Sequence, residues 1–207
     1  MEGNRTTTQA LAKKMIPNWT WNEYGRGFST RTGKKESIQW IKKNIPKDAK
    51  ILDVGFGCAI YARLLRHEGY KYIDGVDVYE SGIYELKLDK YYNNIFISDI
   101  LDFYFDYYDL IILGDVLEHL SLSDGKNLLE EWIKQDKTSN ILISVPYELK
   151  QQPTEENKHE EHLQDKINEE YMALYYPYLE LLFSDEMDDL PGKRIAIYTY
   201  TKKCNER

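Results

Sequence analysis

The first residues in the chain suited to chemistry are an acid and two glycines at the end of an apolar run. The segment 51–57 (ILDVGFG) places Asp53 two residues before Gly55, and Gly57 follows. Glycines at such a turn let the backbone bend sharply and let a ligand lie close against it. The carboxylate of Asp53 opposes an anionic ligand and suits one that carries an amine or a sulfonium group. The segment therefore predicts a site for a nucleotide-like ligand with a positive charge.

A second group of reactive side chains follows a later apolar run. Asp115, Glu118 and His119 are spaced i, i+3 and i+4, so they share one face if a helical turn begins near Asp115. We expect His162, from a later polar stretch, to face His119 across a ligand, because the carboxyl ends of parallel strands lie at the same edge of the sheet. Such residues suit acid–base chemistry, or a divalent cation that lowers the pKa of a bound hydroxyl. In the alternative, Glu118 caps a helix or forms a salt bridge, and His119 only packs beside the ligand.

Two more acids lie where a nucleotide-like ligand needs them. Asp77 follows Gly55 by 22 positions (77 − 55), close to the roughly 20 that a ribose-binding carboxylate requires. Asp99 and Ile100 follow the next apolar run. A dinucleotide fingerprint needs a third glycine where this chain has Ile60, so the spacing departs from that of nicotinamide sites. A nicotinamide-dependent oxidoreductase is still an open alternative on these residues.

The elements that must position these side chains alternate between strand and helix. Apolar runs predict strands at 50–54, 72–78, 95–98, 109–113 and 140–145, the last closed by Pro146. Helical spacing predicts helices around 38–45, from Tyr61 to near Gly69, at 86–91, and after an N-cap at Ser123. Strands that are apolar on both faces indicate a parallel sheet wrapped by helices on both sides. Two β-rich runs, 178–183 and 194–201, have no helix between them and should pair as an antiparallel edge hairpin.

Composition and charge narrow the classes of function. A chain of 207 residues is long enough for one domain with a sizeable core, which we expect at 36–207. The formal net charge of −8 argues against a nucleic-acid partner. The early basic residues, Lys34 among them, alternate with apolar positions and indicate a solvated helix face. A signal peptide and a membrane-spanning run are not visible, and two cysteines without metal spacing fit a cytoplasmic protein.

The first 35 residues differ from the rest of the chain. This segment, 1–35, carries Trp19, Trp21 and Tyr24, and we expect an N-terminal helical and aromatic extension. It could fold over the ligand as a lid, or its aromatic side chains could pack against the flank of the sheet. The sequence leaves a monomer and a homodimer equally open.

Two segments of the chain resemble motifs of one enzyme family. The segment that begins at Asp53 resembles motif I of the class I S-adenosylmethionine (SAM) dependent methyltransferases, Asp/Glu-x-Gly-x-Gly-x-Gly, with Ala59 at the third glycine. The segment 113–120 (LGDVLEHL) resembles the motif that follows strand four in small-molecule methyltransferases. The resemblance covers about residues 36–147. It implies an α/β, Rossmann-like fold with a seven-stranded, mostly parallel sheet, helices on both faces and a C-terminal antiparallel hairpin.

The resemblance also implies a cofactor and roles for single residues. The cofactor is SAM, with Asp77 on the ribose, Asp99 on the adenine amino group and Ile100 packed on the adenine ring. The implied cofactor-binding residues are Asp53, Gly55, Gly57, Asp77, Asp99, Ile100 and Gly114. The candidate catalytic residues are Asp115, His119 and His162. Many methyltransferases of this kind carry Glu-His after strand four without a known metal, so a site without a metal is favoured and a divalent ion stays open.

The expected activity is transfer of a methyl group from SAM to a hydroxyl of a small polar molecule or a sugar. Methyl transfer needs alignment and exclusion of water, and a proton acceptor only when the acceptor is a poorly ionised hydroxyl. Two alternatives stay open on the sequence. One is a non-catalytic methyltransferase-like binding module, and the other is metal-assisted methylation of a nucleotide or RNA end.

Overall fold

The computed structural model describes residues 29–155 and 157–203, and strands and helices alternate along this part of the chain. The elements are α1 (Lys34–Asn44), β1 (Lys50–Val54), α2 (Ile60–His67), β2 (Tyr72–Asp77), β3 (Ile95–Ile97), β4 (Tyr108–Gly114), α3 (Leu122–Lys134), β5 (Thr138–Tyr147), α4 (Glu169–Tyr175), β6 (Glu180–Met187) and β7 (Leu190–Thr201). Short 3-10 turns lie at Leu88–Tyr91, Leu117–His119 and Lys158–Glu160. No helix in the described ranges is long and apolar enough to cross a bilayer.

The strands form a seven-stranded sheet in the order β3-β2-β1-β4-β5-β7-β6. Strands β1 to β5 are parallel, whereas β7 runs antiparallel to both β5 and β6. The predicted fold class, including the antiparallel edge hairpin, is confirmed. Strand β1 pairs with β2 on one side and β4 on the other, so the strand order reverses beside it. In open α/β sheets, ligands bind in the crevice that such a reversal opens at the carboxyl ends of the strands.

Both faces of the central strands are buried, which explains why their sequences are apolar throughout. On β1, Ile51 belongs to a cluster with residues of α1 and α2, whereas Leu52 belongs to a cluster with residues of α3 and α4. Ile112 and Ile111 repeat this division on β4. Each of these four side chains is fully buried and contributes about 1.5 to 3 kcal/mol to folding. The two clusters hold the central strands rigidly, so their carboxyl ends form a stable rim.

The N-cap of α3 is Ser121, and the predicted N-cap at Ser123 is wrong. The hydroxyl of Ser121 accepts a hydrogen bond from the backbone N–H of Asp124 at 3.1 Å. An N-cap residue must be extended and must reach an amide in the first turn, and Ser121 meets both conditions. The helix therefore begins two residues earlier than predicted.

Strand β5 continues through Pro146, where the sequence predicted its end. Pairing with β4 stops at Gly114 and Ser144, so at Pro146 only β7 lies alongside, with Ile195 as its partner. A proline lacks a backbone N–H but is tolerated where one side of the strand is open. The strand thus delivers the following loop, 148–164, to the rim of the sheet.

Candidate functional site

A cavity of about 630 Å³ opens at the carboxyl ends of the strands. This volume lies within the range of small-molecule and cofactor sites. The residues that line it come from β1, β2 and β4, from the loops after them, and from the loop 148–164. It is lined by all the residues that the sequence predicted to bind the cofactor or to act in catalysis: Asp53, Gly55, Gly57, Asp77, Asp99, Ile100, Gly114, Asp115, His119 and His162.

The turn after β1 requires left-handed backbone at three positions. Gly55 and Gly57 have φ values of 58° and 46°, which glycine adopts without steric cost. A Cβ on Gly55 would lie 2.4 Å from a methyl group of Val116, so the loop after β4 packs directly on this bend. Ala59, at the third motif position, has a φ of 61° despite its side chain and forms the N-cap of α2. The backbone at Ala59 is therefore the one a glycine would adopt, held at a cost of about 1 kcal/mol.

Asp53 is a buried carboxyl group at the base of the cavity. Its side chain is 2% exposed, and the hydroxyl of Tyr92 donates a hydrogen bond to it at 2.8 Å. Burial raises the pKa of Asp53 to about 7, although the Tyr92 hydroxyl and the Lys34 charge lower it. A cationic group that enters the cavity would therefore stabilise the ionised form of this carboxyl group.

The acids at the ends of β2 and β3 are held by backbone amides. Asp77 accepts hydrogen bonds from the N–H of Gly57 at 3.0 Å and of Tyr79 at 2.9 Å, so it ties the glycine turn to β2. Asp99 accepts one from the N–H of Leu101 at 2.9 Å. A carboxylate offers about four acceptor positions, so these contacts orient the two side chains while they line the cavity.

Asp115 is held by residues distant in the chain. Its two carboxylate oxygens accept hydrogen bonds from Ser144, at 2.7 Å, and from Ser29. The ammonium group of Lys34 lies 3.9 Å from it. Burial opposes the charge of Lys34, but the Asp115 carboxylate and Tyr61 outweigh that effect and leave the lysine pKa raised. The buried ammonium therefore stays charged and compensates the negative charge of Asp115.

The expectation that Asp115 shares a helical face with Glu118 and His119 is wrong. Asp115 has a φ of 58°, and the helical turn begins only at Leu117. The left-handed backbone directs the Asp115 carboxylate away from the turn and toward its serine partners. Asp115 therefore lies outside the group of donor atoms that Glu118 and His119 form.

The structure brings His119 and His162 into direct contact, whereas the sequence placed them on opposite sides of a ligand. The two rings meet edge to face, with centroids 4.7 Å apart and an interplanar angle of 82°. Nδ1 of His119 lies 3.0 Å from the carbonyl of Glu161, and Nδ1 of His162 lies 2.7 Å from that of Leu149. A carbonyl can only accept, so each neutral ring carries its proton on Nδ1 and leaves a lone pair on Nε2.

The electrostatics of the site keep both imidazoles neutral. Burial, and then the neighbouring His162, lower the pKa of His119 to about 4. Burial also lowers the pKa of His162. Near neutral pH the pair therefore offers two lone pairs and carries no positive charge.

Glu118 has no hydrogen-bond partner for its side chain among the described residues. It is 1% exposed, and both carboxylate oxygens lack a partner. Burial, and then the charge of Asp115, raises its pKa well above the usual value. The alternative in which Glu118 caps a helix or forms a salt bridge is wrong for this part of the chain. One of its oxygens and one nitrogen from each of His119 and His162 all lie within 4.8 Å of one another.

Sequence analysis missed residues that support the site. Lys34, interpreted as part of a solvated helix face, is 2% exposed. Its spacing contained the signal, because Lys34 lies four positions before Ile38 and seven before Ile41, on the apolar stripe of α1. Ser29 and Ser144 gave no signal, since hydroxyl groups in a lead segment and in a buried strand are common.

The chain matches a known family model over most of its described length. The model, described as a methyltransferase domain, matches residues 29–164. No curated protein matches this sequence.

Several solved structures share the fold at low sequence identity. One is the 1,6-didemethyltoxoflavin-N1-methyltransferase of Burkholderia thailandensis with bound 1,6-didemethyltoxoflavin and S-adenosylhomocysteine, which is 12% identical over 84% of this chain and 79% of that chain, with a TM-score of 0.61. A second is the N-terminal domain of EvdMO1 with bound S-adenosylhomocysteine, which is 12% identical over 97% of this chain and 98% of that chain, with a TM-score of 0.61. A third is the magnesium protoporphyrin IX methyltransferase of Synechocystis PCC 6803 with bound SAM, which is 13% identical over 81% of this chain and 78% of that chain, with a TM-score of 0.55. The family match spans well over half of the chain, and the fold agrees with it. The chain therefore belongs to the methyltransferase domain family and is a class I, Rossmann-like, SAM-dependent methyltransferase.

Proposed function

We propose that this methyltransferase transfers the methyl group of SAM to a hydroxyl oxygen of a small polar molecule or a sugar. The observation that carries the proposal is the neutral His119–His162 pair on the cavity wall. An amine or thiolate acceptor already presents a reactive lone pair, whereas an alcohol must lose a proton as it reacts. Two imidazole lone pairs beside Asp115 suit an acceptor with that requirement.

The reaction needs one bond to form and one to break. A lone pair of the acceptor oxygen attacks the methyl carbon, the carbon–sulfur bond breaks, and its electron pair stays on the sulfur of S-adenosylhomocysteine. The hydroxyl proton leaves as the new carbon–oxygen bond forms. The histidine pair can assist either by taking this proton or by holding a cation that lowers the hydroxyl pKa.

We assign SAM to the cavity through the motif residues. Asp53 faces the amino group of the methionine part, Asp77 the ribose hydroxyls and Asp99 the adenine amino group. Ile100 packs on the adenine ring, and Gly55, Gly57 and Gly114 let the cofactor lie against the backbone. This assignment is supported by the burial of Asp53, by the amide contacts that orient Asp77 and Asp99, and by the cavity that all seven residues line.

A small-molecule acceptor is supported by charge and by two of the structural neighbours. The net charge of −8 disfavours a long polyanionic substrate. Two of the structural neighbours are methyltransferases named for small molecules, 1,6-didemethyltoxoflavin and magnesium protoporphyrin IX. Cytoplasmic location, and the choice between monomer and homodimer, stay predictions.

We also propose that the extension predicted at 1–35 closes over the acceptor. Ser29 and Thr30, near the end of this segment, line the cavity. Trp19, Trp21 and Tyr24, the aromatic residues of the predicted lid, lie outside the described residues. The predicted boundary after residue 35 falls inside α1, so the end of the extension is part of the folded domain.

The proposal is tested by finding the atom that receives the methyl group. The protein is incubated with methyl-¹³C SAM and matched acceptors that differ only in carrying a hydroxyl, an amine or a thiol, and a short RNA is included. We expect ¹³C-methyl ethers from hydroxyl acceptors. Methylation only at nitrogen, sulfur or carbon overturns the proposal, transfer only to the RNA favours the nucleotide alternative, and SAM binding without any transfer favours the non-catalytic module.

A matched pair of variants tests the histidine site. His162→Asn should lower kcat about 100-fold while S-adenosylhomocysteine affinity stays unchanged, because the residue serves the acceptor. His67→Asn changes an exposed histidine on α2 and should leave both quantities unchanged. Equal kcat for the two variants would remove His162 from the proposed site.

A further inference from the structure

The strongest unexplained feature of the molecule is the unpartnered carboxylate of Glu118. Its side chain is 1% exposed, and both oxygens lack a hydrogen-bond partner among the described residues. Leaving a polar group buried without a partner costs about 1 to 3 kcal/mol, and more for a charged group. In native structures such groups occur at catalytic residues and at sites that bind a water molecule or an ion, so this carboxyl group points to a bound ligand.

The atoms nearest to this carboxylate form a set of metal donors. One oxygen of Glu118 and one ring nitrogen from each of His119 and His162 lie within 4.8 Å of one another. Two ligands on opposite sides of an ion, each at about 2.1 Å, are about 4.2 Å apart, so small side-chain movements bring the donors to bonding distance.

Contacts behind the rings match those that orient metal-bound histidines. Nδ1 of His119 is held by the carbonyl of Glu161 at 3.0 Å, and Nδ1 of His162 by the carbonyl of Leu149 at 2.7 Å. Histidine ligands commonly donate their second ring N–H to a backbone carbonyl, which fixes the ring and directs the other nitrogen at the metal.

Gln164 links the loop that carries His162 to the turn that carries Glu118 and His119. Its backbone N–H donates to the carbonyl of Glu118 at 3.0 Å, and its side-chain amide donates to the carbonyls of Leu117, at 2.7 Å, and Leu120, at 3.0 Å. The loop that carries His162 is thereby bonded at both ends of the 3-10 turn that carries Glu118 and His119. The three donors therefore belong to one rigid unit.

We propose that Glu118, His119 and His162 bind a divalent first-row transition metal ion, such as Mn²⁺, Fe²⁺, Co²⁺ or Zn²⁺. Two imidazoles with one carboxylate suit these borderline ions, whereas Mg²⁺ and Ca²⁺ prefer sets made only of oxygen. Three protein ligands leave coordination positions open, and the donors line the cavity that receives the acceptor.

The role of this ion rests on the proposed function, although the binding itself does not. A divalent ion bound here would lower the pKa of an acceptor hydroxyl. Open neighbouring positions favour an acceptor that presents two oxygens side by side, so the substrate class is a vicinal diol or a catechol. In this arrangement the two histidines hold the ion, and the proton passes to solvent or to another base.

The binding is tested without turnover. Tag-free protein is stripped with a chelator, dialysed and titrated with Mn²⁺, and free Mn²⁺ is followed by electron paramagnetic resonance while the Tm is measured. At 100-fold excess over Kd we expect the Tm to rise by about 5 to 10 °C. No bound Mn²⁺, and no Tm rise with Mn²⁺, Co²⁺ or Zn²⁺, would overturn the proposal.

Two matched variants locate the ion. Glu118→Gln removes the ionisable carboxyl group at nearly constant volume and should weaken Mn²⁺ binding at least tenfold while S-adenosylhomocysteine affinity is retained, which shows that the fold is intact. Glu155→Gln changes an exposed acid on the His162 loop that is outside the donor set and the cavity, and should bind Mn²⁺ like the wild type. Equal Mn²⁺ affinity in wild type and Glu118→Gln places the ion elsewhere and overturns the proposal.

The two proposals fail in different experiments. Bound Mn²⁺ together with no methyl ether from any hydroxyl acceptor leaves the metal site intact and overturns the proposed function. Methyl ether formed at an undiminished rate in chelator, with no bound Mn²⁺, overturns the metal site and leaves the proposed function intact. A diol acceptor should react at least tenfold faster than its monohydroxyl analogue in the metal-loaded enzyme, and equal rates contradict the bidentate arrangement.

Discussion

Replacing Asp53 by Asn should remove a pH-dependent loss of stability. Burial raises the pKa of Asp53 from 3.8 to about 7 in the folded protein. Between these two values the folded state keeps a proton that the unfolded state has lost. The free energy of unfolding therefore falls as pH rises through this window, and levels off above about pH 7.

The size of the effect follows from the shift. About 3 pKa units at 1.36 kcal/mol each give a loss of about 4 kcal/mol between pH 4 and pH 7. Asn has the volume of Asp and carries no charge, and its carbonyl oxygen can still accept the hydrogen bond from Tyr92. The variant should therefore be more stable than the wild type at pH 8, by an amount approaching this figure.

The measurement is chemical unfolding of cofactor-free protein at pH 5, 6, 7 and 8. The stability difference between Asp53→Asn and wild type should grow by about 1 kcal/mol per pH unit up to pH 7 and then stay constant. Asp102→Asn removes an exposed acid and should leave the pH profile of the wild type unchanged. Parallel profiles for wild type and Asp53→Asn would refute the account of a buried, protonated carboxyl.

Cofactor affinity should also depend on the charge of Asp53, but here the ionised carboxylate is favourable. If the ammonium group of SAM pairs with ionised Asp53, wild-type affinity should decrease by up to tenfold for each pH unit below 7. Asp53→Asn should bind more weakly at pH 8 and lose that pH dependence. The residue would thus lower stability in the free protein and raise affinity in the complex, a combination expected of a functional site.

Three further changes test the turn, the ribose contact and the buried lysine. Gly55→Ala, with a φ of 58° and a Cβ 2.4 Å from a neighbouring methyl group, should cost about 2 to 4 kcal/mol, whereas Gly69→Ala, with a φ of 89° and open space, should cost about 1 kcal/mol. Equal losses on chemical unfolding would show that packing at the turn is unimportant. Asp77→Asn should weaken S-adenosylhomocysteine binding at least tenfold by calorimetry, and unchanged binding would remove the ribose assignment. Lys34→Met should destabilise the protein by about 2 kcal/mol because it leaves Asp115 without its cation, and adding Asp115→Asn should recover part of that loss. Strictly additive losses in the double variant would contradict this coupling.

Local rules in the sequence were sufficient for the sheet and the cofactor side of the site. Asp53 lies next to the last residue of β1, and Gly55 and Gly57 follow that strand. Asp77 ends β2 and Asp99 lies two residues after β3, so the positions of these residues depend on where strands stop. In a parallel sheet the carboxyl ends of all strands lie at the same edge, so side chains at these ends lie close together. The resemblance to methyltransferase motifs then implied the seven cofactor-binding residues, and their contacts with SAM stay predictions.

The acceptor side of the site was decided by tertiary structure. Asp115 does not share a helical face with Glu118 and His119, because Ser29, Lys34 and Ser144, all distant in the chain, hold its carboxylate. Lys34 can compensate this charge only because the fold buries its ammonium group beside Asp115. Both carboxylate oxygens of Glu118 are buried and have no hydrogen-bond partner within the ranges that the structure describes.

The sequence by itself determined that His119 and His162 follow strand ends, and therefore that they lie near the same rim. Only the tertiary structure decided that the rings touch, since the carbonyl that orients His119 comes from 42 positions away in the chain. Periodicity and capping describe interactions over a few residues. Packing of a long loop onto a strand end depends on shape and burial across the whole domain, and local sequence patterns do not record it.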